Sequence, residues 1–407
     1  MKSGTEHAIG PRALLANPSY LRLWLAGGLA NAMRFLEMLV AGIFTFELTG
    51  SAFSVAAVTV ARTLPMLFIG VLAGVVAEAV NRRTLLLGGL VVMTINSAVL
   101  WALSASGQIA VWHIAAAGLV AGVVWASEMA VRRRMVSEVV PSAHVGQAVA
   151  LDSVTSSSTR MIGPLIGGAV FEAFGLDGAY LVSTIVHVAA AAIVTGLVFS
   201  QETRRLALAR IPAEIAEGIE AVRGRPALVG VVAVTVVMNM FGFSYSALIA
   251  PIGLNEFQVS AVLVGLLAAA EPLGALVTGF AFAAGWLPMR GVRTLMAGSF
   301  LFLAGLVATA LAPWYALAFV FMVVGGLGTA AFGSMQSTLV LTEAPAALRS
   351  RVMGIVTMCI GTGPIGVLLV GFASDWLGAS RALLAMALIG VVGLLLARLS
   401  WPRDDPH

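Results

Sequence analysis

The sequence is poor in charge, in lysine and in cysteine, and each shortage removes a class of protein. Asp, Glu, Lys and Arg make up only 10% of its 407 residues, while hydrophobic residues make up 60%. Soluble domains carry about 25% of those four charged types, so a soluble enzyme on a small anchor is excluded. The single cysteine, Cys359, lies in an apolar run, which excludes a disulfide framework and a Cys-rich metal site. Only Lys2 accompanies 22 arginines within a net charge of +4. The arginines sit in short loops rather than in one patch, so topology explains them better than nucleic acid does. No Gly-x-x-x-x-Gly-Lys-Ser/Thr loop is present, and Ser156 to Ser158 have no nearby His. A primary pump and an intramembrane enzyme are therefore disfavoured, and neither catalytic residues, a metal nor a cofactor is expected. Residues 1–19 lack the 7–15-residue apolar stretch of a cleavable signal peptide, so the first apolar helix is expected to remain.

What the sequence does contain is a series of apolar runs. A ~30 Å hydrocarbon core takes roughly 20 helical residues to cross. Runs bounded by charge or turn residues predict helices over 20–48, 52–77, 84–104, 109–130, 148–173 and 179–200, then over 227–250, 259–283, 294–312, 315–340, 351–373 and 380–400. The expected organisation is a cytoplasmic segment (1–19), a six-helix bundle (20–200), a connector (201–226), a second six-helix bundle (227–400) and a tail (401–407). In the connector, Glu214, Glu217, Glu220 and Arg223 recur at helical spacing, which predicts a surface helix on the membrane face. With both termini in the cytoplasm, the cytoplasmic segments carry 19 of the 23 Lys and Arg and the outer connections carry one, Arg381. That asymmetry fixes the expected orientation. A repeat is visible too: Gly163-Pro164 with Gly167-Gly168 and Gly175 answers Gly363-Pro364 with Gly366 and Gly378, about 200 residues later. The fold class expected is an all-α polytopic membrane protein, with twelve transmembrane helices in two pseudo-symmetric halves and a substrate site at their interface.

Several motifs carry a resemblance: Tyr20-Leu21-Arg22-Leu23-Trp24, Glu47-Leu48-Thr49-Gly50-Ser51, Ala61-Arg62-Thr63-Leu64-Pro65, Arg160-Met161-Ile162-Gly163-Pro164 and Leu348-Arg349-Ser350-Arg351-Val352-Met353-Gly354. Over essentially its whole length the chain resembles the major facilitator superfamily, most closely the drug:proton antiporter branch that includes macrolide-efflux and enterobactin-exporter proteins. The resemblance implies alternating access, a small-molecule substrate, a proton gradient as energy source, and a monomer in the inner membrane. It also implies a cytoplasmic latch at Gly74, Glu78, Arg82 and Arg83. There the sequence departs from the superfamily, with Glu78 replacing Asp, Ala79 replacing Arg and Asn81 replacing Gly. The Arg motif of another antiporter branch is absent from the fourth span, which offers only His113. Gly163, Pro164, Gly167, Gly168, Gly363 and Pro364 are expected to let helices approach closely and bend.

Six ionisable residues are expected to lie within spans: Arg34, Glu37, Arg62, Asp152, Arg160 and Glu271. Such groups cost roughly 2.5–3.5 kcal/mol each, so each needs a reason. In the superfamily the third, sixth, ninth and twelfth helices are peripheral, and here their centres offer only His187. Glu271 has no cation within a turn of its own helix. It is expected to be a proton-coupling acid, or else the partner of an Arg across the cavity. Glu37 is expected to pair with Arg34, one turn away, as a switch or as a static pair. Asp152 either pairs with Arg160 or is solvated, and ranks third as a proton site. Arg34, Arg62 and Arg160 are assigned to cavity or gate, with Asn31, Asn239 and Gln336 as hydrogen-bonding candidates. His113 is read as an interfacial or packed histidine rather than a proton carrier. The six charges sum to zero, so acidic or zwitterionic cargo fits as well as cationic. The expected function is proton-coupled export of a small organic compound. A lysophospholipid flippase or uniporter is the alternative, and a non-transporting receptor or scaffold the rival of another class.

Overall fold

The computed structural model describes residues 14–401 except positions 80, 142–143, 198, 200–210, 289, 346–347 and 400. The start of the predicted N-terminal segment, part of the connector and the tail beyond residue 401 lie outside the described residues. Every regular element among those described is helical. Hydrocarbon offers backbone amides no partner, and a helix satisfies them within one segment.

The helices are α1 (Pro18–Thr49), α2 (Ala52–Ala79), α3 (Arg82–Ala105), α4 (Val111–Val139), α5 (Val145–Thr195), α6 (Ile211–Arg223) and α7 (Pro226–Val237), then α8 (Ala261–Ala283), α9 (Gly291–Ala310), α10 (Tyr315–Glu343), α11 (Arg349–Ile360), α12 (Gly363–Leu377) and α13 (Ala379–Leu399). Local chemistry sets the ends. Asn17 accepts from the backbone N–H groups of Ser19 and Tyr20 and so caps α1, while Gly50 closes it in the left-handed region at φ 63°. A helix does form in the expected connector, as α6, with Gly218 packed on the Arg351 carbonyl and Ile355 and Glu217 paired with Arg351.

Ten helical segments among the described residues are long and apolar enough to cross a membrane, and Ala52–Met66 is a shorter apolar one. One of the ten, Leu151–Thr195, has 45 residues, about twice what a crossing takes. Gly175 interrupts it at φ 69°, ψ −167°, so the predicted fifth and sixth helices are two arms meeting at one glycine. The predicted seventh helix continues beyond α7 through a π turn (Met238–Gly242), a 3₁₀ turn (Phe243–Leu248) and a second π turn (Ile252–Glu256). The predicted eleventh is broken into α11 and α12, with Pro364 in the first turn of α12, where its missing N–H costs nothing. No matching break occurs at Pro164, through which α5 runs on. There Gly163 and Gly167 lie against the α1 backbone at Ala32 and Leu36, and Gly168 against Ala261. A Cβ would collide at Gly163 and Gly168 and be crowded at Gly167, so in this conformation the band sets close approach rather than a bend.

Apolar packing divides near the connector. Two clusters are drawn from residues 14–197, one around Leu23, Met135 and Leu197 and the other around Leu36, Ile114 and Tyr180. A larger third is built mainly from residues 222–401, with Leu39, Ile43, Ala52 and Ala56 reaching in from the first half. The halves meet where α5 packs on α8 and α2 on α12. These contacts place the functional residues around a central space.

Candidate functional site

A cavity of about 730 Å³ lies among α1, α4 and α5, lined by Asn31, Arg34, Trp125, Glu128, Arg132, Asp152, Ser156, Ser157 and Arg160. These residues extend toward the arginine-rich end of the bundle, where α4 ends and α5 begins. Arg34 pairs with Glu128 at 2.9 Å and lies 5.0 Å from the centre of the Trp125 ring. It also donates to Asn31, which in turn donates to Thr159 at 2.5 Å. Arg132 pairs with Asp152 at 2.7 Å.

At the far side of this cavity Arg160 pairs with Glu271 of α8, which ties the two halves together. A second cavity of about 230 Å³ adjoins the pair, walled by Phe35, Met38, Leu39, Phe243 and Ile249 with Tyr245. Arg160 and Phe35 line both spaces. Glu271 also accepts from Thr329 at 2.6 Å and from Tyr245 at 3.3 Å. Its side chain is 1% exposed against 38% for that of Arg160. The guanidinium can therefore be solvated if the pair opens, whereas the carboxylate then keeps two hydroxyl donors and no counter-charge.

Two of the expected pairings are corrected. Glu37 does not pair with Arg34. It accepts from Arg62 at 3.2 Å, Ser97 at 2.8 Å and Ser183 at 2.5 Å, and Ser183 continues to His187 at 3.2 Å. Glu37 points away from the cavity face of α1 and knots four helical segments of the first half. The third and sixth predicted helices thus supply polar groups to this interior. Likewise Asp152 pairs with Arg132 rather than Arg160, which the opposite half has taken. Sequence reading missed Glu128, Arg132, Tyr245 and Thr329. Glu128 was legible, since it falls inside the predicted fourth span.

Asn239 donates to the Thr235 carbonyl at 2.9 Å and Gln336 to the Thr235 hydroxyl at 2.7 Å. They form a buried cluster in the second half and line neither cavity. At the expected latch, Arg82 pairs with Glu138 and Arg83 donates to the Thr195 carbonyl at 2.5 Å. The surroundings of Gly74 and the side chain of Glu78 lie outside what the structure describes. His113 caps α4, its Nδ1 accepting from the Ala110 N–H at 3.0 Å.

The end opposite the arginine-rich one is clasped. Asp375 accepts from the backbone N–H groups of Ala52 at 2.7 Å and Phe53 at 3.2 Å, and from the Ser51 hydroxyl at 2.7 Å. Glu172 accepts from the Val262 N–H at 2.9 Å. Each carboxylate thus satisfies an orphan donor at the start of a helix in the other half. Each stands three residues before a glycine of positive φ, Gly175 at 69° and Gly378 at 87°.

Membrane-crossing helices around a charged interior space, joined through a buried ion pair, define a membrane transporter. The family model for transmembrane secretion effectors matches residues 9–405, and the chain belongs to this family of major facilitator transporters. It is 24% identical over 377 residues to the uncharacterized MFS-type transporter YfiS of Bacillus subtilis (strain 168), covering 86% of each. Among solved structures it is similar to an inward-facing, unoccupied bacterial homologue of the human lysosomal transporter Spinster (TM-score 0.72, 15% identity, 95% and 98% coverage). A POT family transporter in complex with 5-aminolevulinic acid gives a TM-score of 0.75 at 12% identity, with 96% of both chains covered. The human organic anion transporter MFSD10 gives 0.66 at 14%, with 93% and 99% covered. These likenesses establish a shared fold.

Proposed function

We propose that the chain is a secondary transporter that exports a small organic compound from the cytoplasm in exchange for protons. It acts as a monomer in the inner membrane, with twelve crossings and both termini cytoplasmic. The arginine-rich end then faces the cytoplasm, and the conformation described is inward-open. Two features support paired halves. The carboxylates Glu172 and Asp375 clasp the same end, and the close approaches at Gly168 and Gly371 involve Ala261 and Ala52 in turn.

The observation that carries the proposal is the Arg160–Glu271 pair at the junction of the two cavities and the two halves. Alternating access requires the halves to change their contacts, and among the described residues this pair is the ion pair between them beside a space for cargo. A proton arriving on Glu271 removes the charge that holds Arg160. Cargo that needs the ionised carboxylate competes with that proton, which gives exchange its sign. Glu37, enclosed by Arg62, Ser97 and Ser183, has a structural role in this reading, and Asp152 helps to shape the cavity. The likeness to antiporters for macrolides and enterobactin guides the choice of compounds to test.

The test is energised accumulation of a panel of dyes, macrolides and siderophores in efflux-deficient cells, comparing wild type with Glu271→Gln and Arg160→Gln. Lowered accumulation of a compound by wild type, abolished by a protonophore and by Glu271→Gln, is the expected result. Transport that survives both the protonophore and Glu271→Gln would overturn proton coupling and leave a uniporter or flippase. Tight binding of a compound without flux would indicate a receptor.

A further inference from the structure

A groove on the outside of the helical bundle lies apart from the two central cavities. Near the arginine-rich end, α8 and α9 both pack on α10. Between them lies a groove of about 550 Å³, with apolar walls that include Val277, Leu287 and Leu301. Its floor is made of small residues, Gly298, Gly328 and Ala331, where α9 and α10 approach so closely that a Cβ on Gly298 would meet the Gly328 carbonyl and the Ala331 side chain. Bulkier floor residues would fill the space. Val277, Leu287 and Leu301 are 54%, 44% and 38% exposed, which suits hydrocarbon rather than water.

Arg290 and Arg293 stand at the mouth of the groove. Both are exposed, and among the described residues neither guanidinium has an ion-pair or hydrogen-bond partner. Beside them Trp286, 72% exposed, has the amphipathic ring favoured at a membrane interface. Two unpartnered cations above an apolar slot at interfacial depth are complementary to one kind of molecule, an anion with an acyl chain. Basic pockets between membrane helices select anionic head groups by the same electrostatics.

We propose that this groove is a binding site for an anionic phospholipid, with its phosphate between Arg290 and Arg293 and one acyl chain lying over Gly298, Gly328 and Ala331. The site is separate from the central cavities, and the assignment does not depend on the direction or cargo of transport.

The test uses the full-length protein purified in detergent, with phosphatidylglycerol and phosphatidylcholine of identical chains as probes and retained lipid counted by native mass spectrometry. Wild type is expected to retain phosphatidylglycerol preferentially. Arg290→Gln and Arg293→Gln should each weaken retention by about fivefold. Arg398→Gln, which removes a charge at the same end but outside the groove, should leave retention unchanged. Ala297→Phe, which fills the groove from an exposed position on its wall, should lower retention of both lipids. Equal retention of the two lipids by wild type, or undiminished preference in both arginine variants, would overturn the site. Loss of preference in Arg398→Gln as large as in Arg290→Gln would reduce it to general surface charge, which overturns it equally. Full retention in Ala297→Phe would do the same for the groove. Melting temperatures measured without lipid identify any variant that is merely unfolded; Arg290 and Arg293 are exposed, so those two are expected to fold.

Discussion

Two buried glutamates, one in each half, look alike in the chain and differ in what surrounds them. Glu37 and Glu271 are 2% and 1% exposed, and each faces an arginine and two hydroxyl donors. The partners of Glu37 all belong to its own half, and Arg62 is itself buried at 9%. The arginine of Glu271 comes from the other half and borders the large cavity. Burial with a partner therefore has two outcomes: inside one half it makes a fixed strut, and across the interface between the halves it makes the contact that the proposed cycle would have to break. The carboxylate is the same in both; the mobility of its partner decides.

Breaking the strut should have the largest effect on folding. Glu37→Ala leaves Arg62 buried without its counter-charge, which typically costs about 3–5 kcal/mol. The expected outcome is loss of monodisperse protein and a sharply lowered melting temperature, and an unchanged melting curve would refute the strut. Arg62→Leu combined with Glu37→Leu should recover much of that loss, because a pair replaced by apolar groups of similar volume is often tolerated.

The corresponding change across the interface sharpens the contrast. Glu271→Gln keeps partners for Thr329 and Tyr245 and releases an arginine that water can reach, so the stability change should be only about 1 kcal/mol. Distances between spin labels on α5 and α8 should nevertheless shift toward a second population. A large destabilisation with an unmoved distance distribution would make Glu271 a strut as well.

Smaller again is the effect expected at the clasped end. Asp375→Ala removes the cap on the Ala52 and Phe53 N–H groups, a loss of about 1 kcal/mol. It should raise the labelling rate of a cysteine placed at Phe35 from the clasped side, and no change in that rate would show that the clasp does not hold this end shut. The smallest effect belongs to Arg132 and Asp152, whose side chains are 18% and 22% exposed. Asp152→Asn should cost under about 1 kcal/mol of stability, read as a small fall in the melting temperature, and it separates cavity shape from proton coupling if transport persists.

Much of the interior was legible in the sequence. Arg34, Glu37, Arg62, Asp152, Arg160 and Glu271 stand out because charge inside an apolar run has no cheap explanation, and four of the six border the cavities beside the α5–α8 contact. Their pairings were not legible. Arg34 lies one turn from Glu37, yet the two side chains leave α1 toward different neighbours. Helical spacing reports proximity on one helix and cannot weigh it against a Glu128 or an Arg62 arriving from elsewhere. The spacing of like features differs between sequence and structure. Gly-Pro pairs suggest an offset of 200, whereas Gly168 with Gly371, Glu172 with Asp375 and Gly175 with Gly378 agree on 203. The break between α11 and α12, absent from α5, accompanies the difference.

The sequence by itself determined that the chain is helical and crosses a membrane, because composition and run length leave hydrocarbon as the solvent and helices as the structure that satisfies it. It also determined which residues must have a special reason to be there, since ionisable groups in such a solvent need partners. Only the tertiary structure decided which partners those are. Pairing across helices depends on the rotation and depth of each helix in the bundle, and those are set by where glycines such as Gly163, Gly167 and Gly168 allow backbones to touch.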